Sequence, residues 1–242
     1  MADLPSVQTL YAVIDDTWPA ADSFDCGPFL LRMGQGGGSR VSAATAKMPA
    51  TNAEIETAAN TMFEMRQPAL FMIREQDDKL DAQLAELGYV IKDPVILYAA
   101  PITTVATHRP PHKTVFTTWP PLAVQREIWA QGGIGEGRLA VMDRATCLKT
   151  TLLGRTDDRP AGTSFVGISH GCAMIHALEI GDPFRRKGLA AHITRAAAFW
   201  AEDNDADYLT LVTTQANVGA NSLYTSLGMK VVGHYHYRIK LE

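Results

Sequence analysis

The chain has 242 residues, 46% hydrophobic and 20% charged, with a formal net charge of −4. That composition excludes a disordered or fibrous chain, and the acidic balance argues against a dedicated nucleic-acid binder, which would carry a basic excess. The length suffices for one large domain or two compact ones, each with its own core.

The opening MADLPSVQTLYAVIDD has no basic start followed by an apolar core, so it does not read as a secretory signal. No apolar run approaches the roughly 20 residues that cross a bilayer. Cys26, Cys147 and Cys172 lie far apart without a C-x-x-C pair and read as reduced thiols. The expectation is a soluble, cytoplasmic protein with no membrane partner.

In chain order, FLLRM and RVSAA read as strands joined by GQGGGS. That glycine run precedes a strand rather than a helix, so it fits a hairpin loop better than a phosphate loop. Thr51 and Glu54 have capping-box spacing, and Ile55, Ala58 and Met62 then share a helical face. ALFMI reads as a buried strand, DKLDAQLAELG as a helix ended by Gly88, and YVIKDPVILYA as a last strand or bent pair. Residues 100–122 carry Pro101, Pro110, Pro111, Pro120 and Pro121 and read as a connector. A boundary near residue 112 therefore predicts domains 1–112 and 113–242.

The second half opens with a helix whose first turn holds Pro121 and whose apolar side holds Ile128 and Trp129. Strands are predicted at LAVM, CLKTTLLG, TSFVGIS and CAMIHALEI, the last two joined through HG. Leu189, Ile193, Ala196 and Trp200 recur at helical spacing, and strand DYLTLVTT, helix GANSLYTSLG and strand MKVVGHYHYRIKL follow. Both halves thus run hairpin, helix, strand, short helix ending in Leu-Gly, strand. A duplicated fold is expected.

The stretch GDPFRRKGLAAHITRAAAFW, residues 181–200, crowds Arg185, Arg186 and Lys187 where a helix start favours acidic residues. Two readings compete. The cations are a solvated loop paired with Asp182, or they await a polyanion received by Gly188, the first helical N–H groups and the three positive charges.

LEIGDPFRRKGLA followed by TTQANVGANSLYTSLGMKV resembles the acetyl-CoA-binding core of the GNAT superfamily of N-acetyltransferases. The R/Q-x-x-G-x-G/A loop of that family matches Arg185, Gly188 and Ala190, and its N-x-x-A-x-x-L-Y-x-x-x-G element matches Asn217, Ala220, Leu223, Tyr224 and Gly228. The resemblance covers residues 138–240. It implies an α/β (α+β) fold of mixed, mostly antiparallel sheets flanked by helices. The element order of the first half suggests a tandem GNAT-like arrangement with that half degenerate, since AKMPATNAE lacks the loop and Leu84 stands opposite Tyr224.

The same resemblance implies transfer of an acetyl group from acetyl-CoA to an amine. It places pantetheine contacts on the backbone of Leu178 and Ile180, with an oxyanion-donating N–H near Ile180. The pyrophosphate falls at Arg185, Arg186, Lys187, Gly188, Leu189 and Ala190, with Asn217 alongside, and Tyr224 becomes the proton donor to sulfur.

His176 and Glu179 are the candidate bases, and strand alternation places them on opposite faces unless a bulge intervenes. His176 shares a face with Met174 and Leu178, which favours a partly buried structural histidine, and a water chain is a further alternative to a dedicated base. His234 and His236 have no third ligand at suitable spacing, so no metal is expected. The four tryptophans read as packing residues. A monomer or homodimer is expected. The alternatives to an enzyme are a silent CoA-binding sensor, against which Tyr224 speaks, and a basic-patch module, against which the net charge speaks.

Overall fold

The computed structural model describes residues 3–240. Ser6 caps helix α1 (Val7–Thr17), its hydroxyl accepting the Thr9 N–H at 3.1 Å. Hairpin β1 (Asp22–Cys26) and β2 (Phe29–Met33), helical turn α2 (Ser39–Ser42) and strand β3 (Thr45–Ala46) follow. Next come α3 (Asn52–Glu64), β4 (Leu70–Ile73), α4 (Asp78–Glu86), β5 (Val90–Pro101), α5 (Ile102–Val105) and β6 (Val115–Thr118). Helices α6 (Ala123–Gln131) and α7 (Glu136–Arg144) precede strands β7 (Leu148–Thr156), β8 (Arg159–Ser169) and β9 (Cys172–Ile180). A 3-10 turn, Asp182–Phe184, leads to α8 (Leu189–Glu202), β10 (Tyr208–Thr214), α9 (Val218–Ser226) and β11 (Lys230–Ile239).

Packing divides the chain into two compact units. The first holds the chain up to Pro19, Leu97–Thr213 and Asn217–Val232; the second holds Ala20–Ile96, Thr214–Ala216 and the chain from Gly233. This division differs from a single cut near residue 112. The proline-rich stretch interrupts local hydrogen bonding, whereas packing divides inside the long strands β5 and β11 and assigns α1 to the first unit.

In the first unit the strand order is β5, β10, β9, β8, β7, β6. Strands β6 to β9 are antiparallel, and β10 returns parallel to β9 after the α8 crossover. Helix α8 lies close on one face, because a Cβ at Gly154 would sit 2.7 Å from Ile193 Cδ1. Helix α1 lies close on the other, where a Cβ at Gly167 would sit 2.9 Å from Thr17 Cβ. Trp129, Met142 and Phe165 are fully buried in this unit.

In the second unit β1, β2 and β3 are antiparallel, Ala44 bridges Phe71 in parallel, and β4 pairs antiparallel with β11 through Ile73 and His236. Thr51 and Glu54 close the expected capping box, and Ile55, Ala58 and Met62 pack with Phe29, Phe71 and Leu84. Gly88, at φ 84°, ends α4 as read from the sequence.

Some elements differ from the sequence reading. RVSAA is mostly the turn α2, with pairing delayed to Thr45, because Gly38 at φ 94° redirects the chain before Ser39. LAVM is part of α7, not a strand: short apolar runs do not distinguish the two, and Leu139, Val141 and Met142 are simply its buried residues. The connector contains β6, which pairs with β7. Strand β1 reads DSFDC, mostly exposed, so it carries no alternating apolar signal.

Candidate active site

Strands β9 and β10 pair from Cys172 opposite Tyr208 to Ile175 opposite Leu211, then part while β9 continues to Ile180. Directly past the parting point, β9 bulges. Its register with β8 runs His176 opposite Phe165 and then Glu179 opposite Thr163, so β9 carries one extra residue across from Ser164. Ala177 takes φ 50° to make this possible. Since Phe165 and Thr163 share a face, the bulge puts His176 and Glu179 on one face as well, against simple alternation.

The parted strands open a cleft of about 1080 Å³, lined by Ala177 to Ile180 on one side and Leu211 to Thr213 on the other. Gly181 donates its N–H back to Ala161 O at 2.9 Å. Alternation along the strand then turns the N–H and C=O of Ile180 to the opposite edge, that of the cleft. The Ile180 carbonyl accepts from Arg185 Nε at 3.0 Å.

Gly188 is the N-cap of α8 at φ 82°, a left-handed value that favours glycine, and a Cβ there would meet nothing within 4 Å. Arg186 is also left-handed, at φ 64°. The start of α8 therefore faces open space in the cleft with its first N–H groups unclaimed by a side-chain cap. Asn217 accepts the Ala220 N–H at 3.1 Å and so caps α9, which presents Tyr224 to the same cleft. Tyr224 is only 5% exposed, and burial pushes its phenol far above the ordinary value. Its ring leans on Tyr98 at 5.9 Å, and its hydroxyl makes no hydrogen bond among the described residues.

A splayed pair of parallel strands, a bulge at the fork and a glycine-started helix facing it invite comparison with known proteins. Residues 116–229 match the acetyltransferase (GNAT) family model. The chain carries a GNAT acetyltransferase domain. A Bacillus subtilis (strain 168) protein, the uncharacterized N-acetyltransferase YobR, is 22% identical over 249 residues, spanning 99% of this chain and all of that one. A GCN5-related N-acetyltransferase from Kribbella flavida has a similar fold, with TM-score 0.75, 19% identity, and coverage of 98% of this chain and 96% of that one. A tandem GNAT protein from the clavulanic acid biosynthesis pathway superposes with TM-score 0.57 at 11% identity, over 88% and 77% of the two chains. The class of the GNAT domain is that of an acyltransferase, on a mixed α/β fold.

Within the GNAT domain, Leu178, Ile180, Arg185 and Arg186 line the cleft, as do Gly188, Leu189, Ala190 and Asn217. Lys187 does not. Its ammonium meets Asp157 Oδ2 at 3.2 Å. Arg185 is held too, by Glu179 at 2.9 Å and Asp182 at 2.8 Å, while Arg186 forms no ion pair among the described residues. Of the three cations, Arg185 thus pairs with Asp182 as one sequence reading expects, Lys187 pairs with Asp157, and Arg186 stands on the cleft lining.

Glu179 and Tyr224 line the cleft, but His176 does not. His176 is 3% exposed, stacks on Trp18 at 4.9 Å and meets Thr17 Oγ1 through Nε2 at 2.8 Å. Thr17 donates its own proton to Val13 O at 2.6 Å, which leaves it an acceptor and assigns the His176 proton to Nε2. Gly132 has a role the sequence reading missed: a Cβ there would fall 2.5 Å from Glu179 Cδ, so the glycine makes room for this carboxylate.

Proposed function

We propose that the cleft binds acetyl-CoA and an amine acceptor together and passes the acetyl group directly between them, residues 113–242 carrying the chemistry and residues 1–112 standing as a degenerate GNAT-like copy. The observation that carries this reading is that the open start of α8, the bulged edge of β9 and the side of α9 that carries Tyr224 line one cleft. Gly188, Leu189 and Ala190 would hold the pyrophosphate through backbone N–H groups, with Arg186 adding charge. The free edge at Leu178 and Ile180 would pair with the pantetheine amides as an added strand.

Acetyl-CoA supplies the acyl thioester: the amine attacks its carbonyl carbon and gives up a proton from nitrogen to Glu179 or to water, the C–S bond breaks, and the sulfur leaves as a thiolate that takes up a proton. The Ile180 N–H is turned to the edge where the carbonyl oxygen gains charge. Tyr224 offers an O–H that burial keeps protonated across the working pH range, available to the sulfur as charge develops. Glu179 is the carboxylate in the cleft lining, and it comes from the same strand. His176, buried against Trp18, stays a structural residue in this scheme.

A CoA sensor without chemistry would have no need of a tyrosine hydroxyl at position 224. The repeat of strand, crossover helix, strand, short Leu-Gly helix, strand in β3 to β5 and again in β9 to β11 supports the tandem reading. Thermal unfolding of the wild type and Gly188→Glu with acetyl-CoA, CoA or ATP tests the proposal. A ligand at 100 times its dissociation constant adds about 2.7 kcal/mol. A shift with acetyl-CoA in the wild type that vanishes in the variant supports it; a well-folded wild type with no shift sinks it.

A further inference from the structure

Helix α6 holds the bulge from both strands. Gln125 and Trp129 lie one turn apart on α6, and both are fully buried. Trp129 donates its indole N–H to the carbonyl of Ala177 at 2.8 Å. A bulged residue drops out of the ladder, so its carbonyl needs a partner from elsewhere, and the indole supplies it. On the opposing strand, Gln125 Nε2 donates to Thr163 Oγ1 at 3.0 Å. Thr163 is the residue at which the β8–β9 register shifts.

Gln125 is in turn fixed. Its Oε1 accepts from Thr118 Oγ1 at 2.9 Å and from the Leu122 N–H at 2.9 Å, tying the start of α6 to the edge strand β6. The two contacts therefore bracket the one extra residue of β9, one on each side of the register break. An apolar pair at these positions would pack equally well but would leave the ladder free to slip back into regular pairing.

The geometry points to Trp129 as a positioning residue for acetyl-CoA, with Gln125 and Thr163 as its counterpart on β8. The pair sets the bulge that aims the backbone of Leu178 to Ile180 at the cleft. This inference rests on the proposed acetyl-CoA reading. Trp129 does not line the cleft and acts through the backbone of Ala177, so it is expected to govern the pantetheine and acyl part of the donor and to leave the nucleotide part alone.

The test compares the full chain with Trp129→Phe, which keeps a large ring and loses the N–H. Acetyl-CoA and adenosine 3′,5′-bisphosphate, a fragment without pantetheine, are titrated by calorimetry. The expected result is acetyl-CoA binding weakened about tenfold, a single hydrogen bond's worth, with the nucleotide fragment bound as before. Equal weakening of both ligands, or of neither, overturns the clamp.

If Trp129→Phe does not fold, Thr163→Val and Thr163→Ser decide. Valine removes the acceptor for Gln125 and should weaken acetyl-CoA alone, while serine keeps the hydroxyl and should restore it; matching behaviour of the two overturns the inference. A wild type that binds neither ligand is a different result, since it removes the acetyl-CoA reading itself.

Discussion

Arg185 donates through Nη2 to Glu179 Oε1 at 2.9 Å, and its other nitrogens meet Asp182 and the Ile180 carbonyl. One guanidinium thus ties the end of β9 to the loop that starts α8, and every edge of its planar fork is used. A cation read from the sequence as a phosphate ligand also sets the loop's shape.

Arg185→Lys therefore should not rescue what Arg185→Ala loses, because an ammonium cannot reach three acceptors in one plane. Both variants are expected to bind acetyl-CoA about tenfold more weakly, measured by calorimetry, with melting temperatures close to the wild type since the side chain is half exposed. Full affinity in Arg185→Lys would show that charge alone suffices.

Tyr224→Phe separates binding from chemistry. The ring packs on Tyr98 and is buried, so phenylalanine keeps the contact, and the lost hydroxyl has no hydrogen bond to forfeit among the described residues. Stability and acetyl-CoA affinity should be unchanged, while release of CoA thiol in the presence of an accepted amine falls about a hundredfold. Because burial raises the phenol's pKa, the wild-type rate should show no alkaline decline from Tyr224 below about pH 10. A hydroxyl-dependent decline between pH 8 and 9, on the order of that of a free thiol, would contradict this role.

The residues legible in the sequence were those whose chemistry fixes their spacing along one segment. Arg185, Gly188 and Ala190 open one helix, and Asn217, Leu223 and Tyr224 span another, so local order sufficed. Trp129 and Gln125 were legible only as helix residues, because their partners lie 48 and 38 residues away and nothing local marks which carbonyl or hydroxyl they meet. The same limit hid the bulge. Whether His176 and Glu179 share a face depends on the count of residues in β9 against β8, a property of pairing rather than of the strand itself. The two packing units are not legible in the sequence for a related reason, since Val90–Pro101 reads as one strand although its packing changes after Ile96.

His176 tests how far burial decides a histidine's role. Its Nε2–H bond to Thr17, its stack on Trp18 and its place beside Phe165 at 6.0 Å make it a packing residue between β9 and α1. His176→Ala should cost about 2–4 kcal/mol in urea unfolding, from the cavity and the loss of the donor to Thr17 Oγ1, which keeps its own bond to Val13 O. Acetyl-CoA affinity measured well below the variant's melting point should be retained. Near-wild-type stability with a lost acid limb in the rate profile would instead return His176 to the list of bases.

Asp81 provides a pH-dependent test in the second unit. Arg238 bonds both its oxygens, Nε to Oδ1 at 2.7 Å and Nη2 to Oδ2 at 3.1 Å, and His236 Nε2 meets Oδ1 at 2.7 Å. The Arg238 hydrogen bonds, followed by those of His236, hold the Asp81 carboxyl below the usual carboxylate range despite partial burial. The folded state therefore binds this proton more weakly than the unfolded chain. Its contribution is fully present above the unfolded value of about 3.9 and is lost as pH falls through the lower native value. Denaturant unfolding of the wild type and Asp81→Asn should show a stability gap that is constant above about pH 5 and narrows steadily below pH 4. A gap unchanged down to pH 2 would mean that asparagine's loss is one of geometry alone, and that the Arg238 pair adds no charge-dependent stability to the contact between α4 and β11.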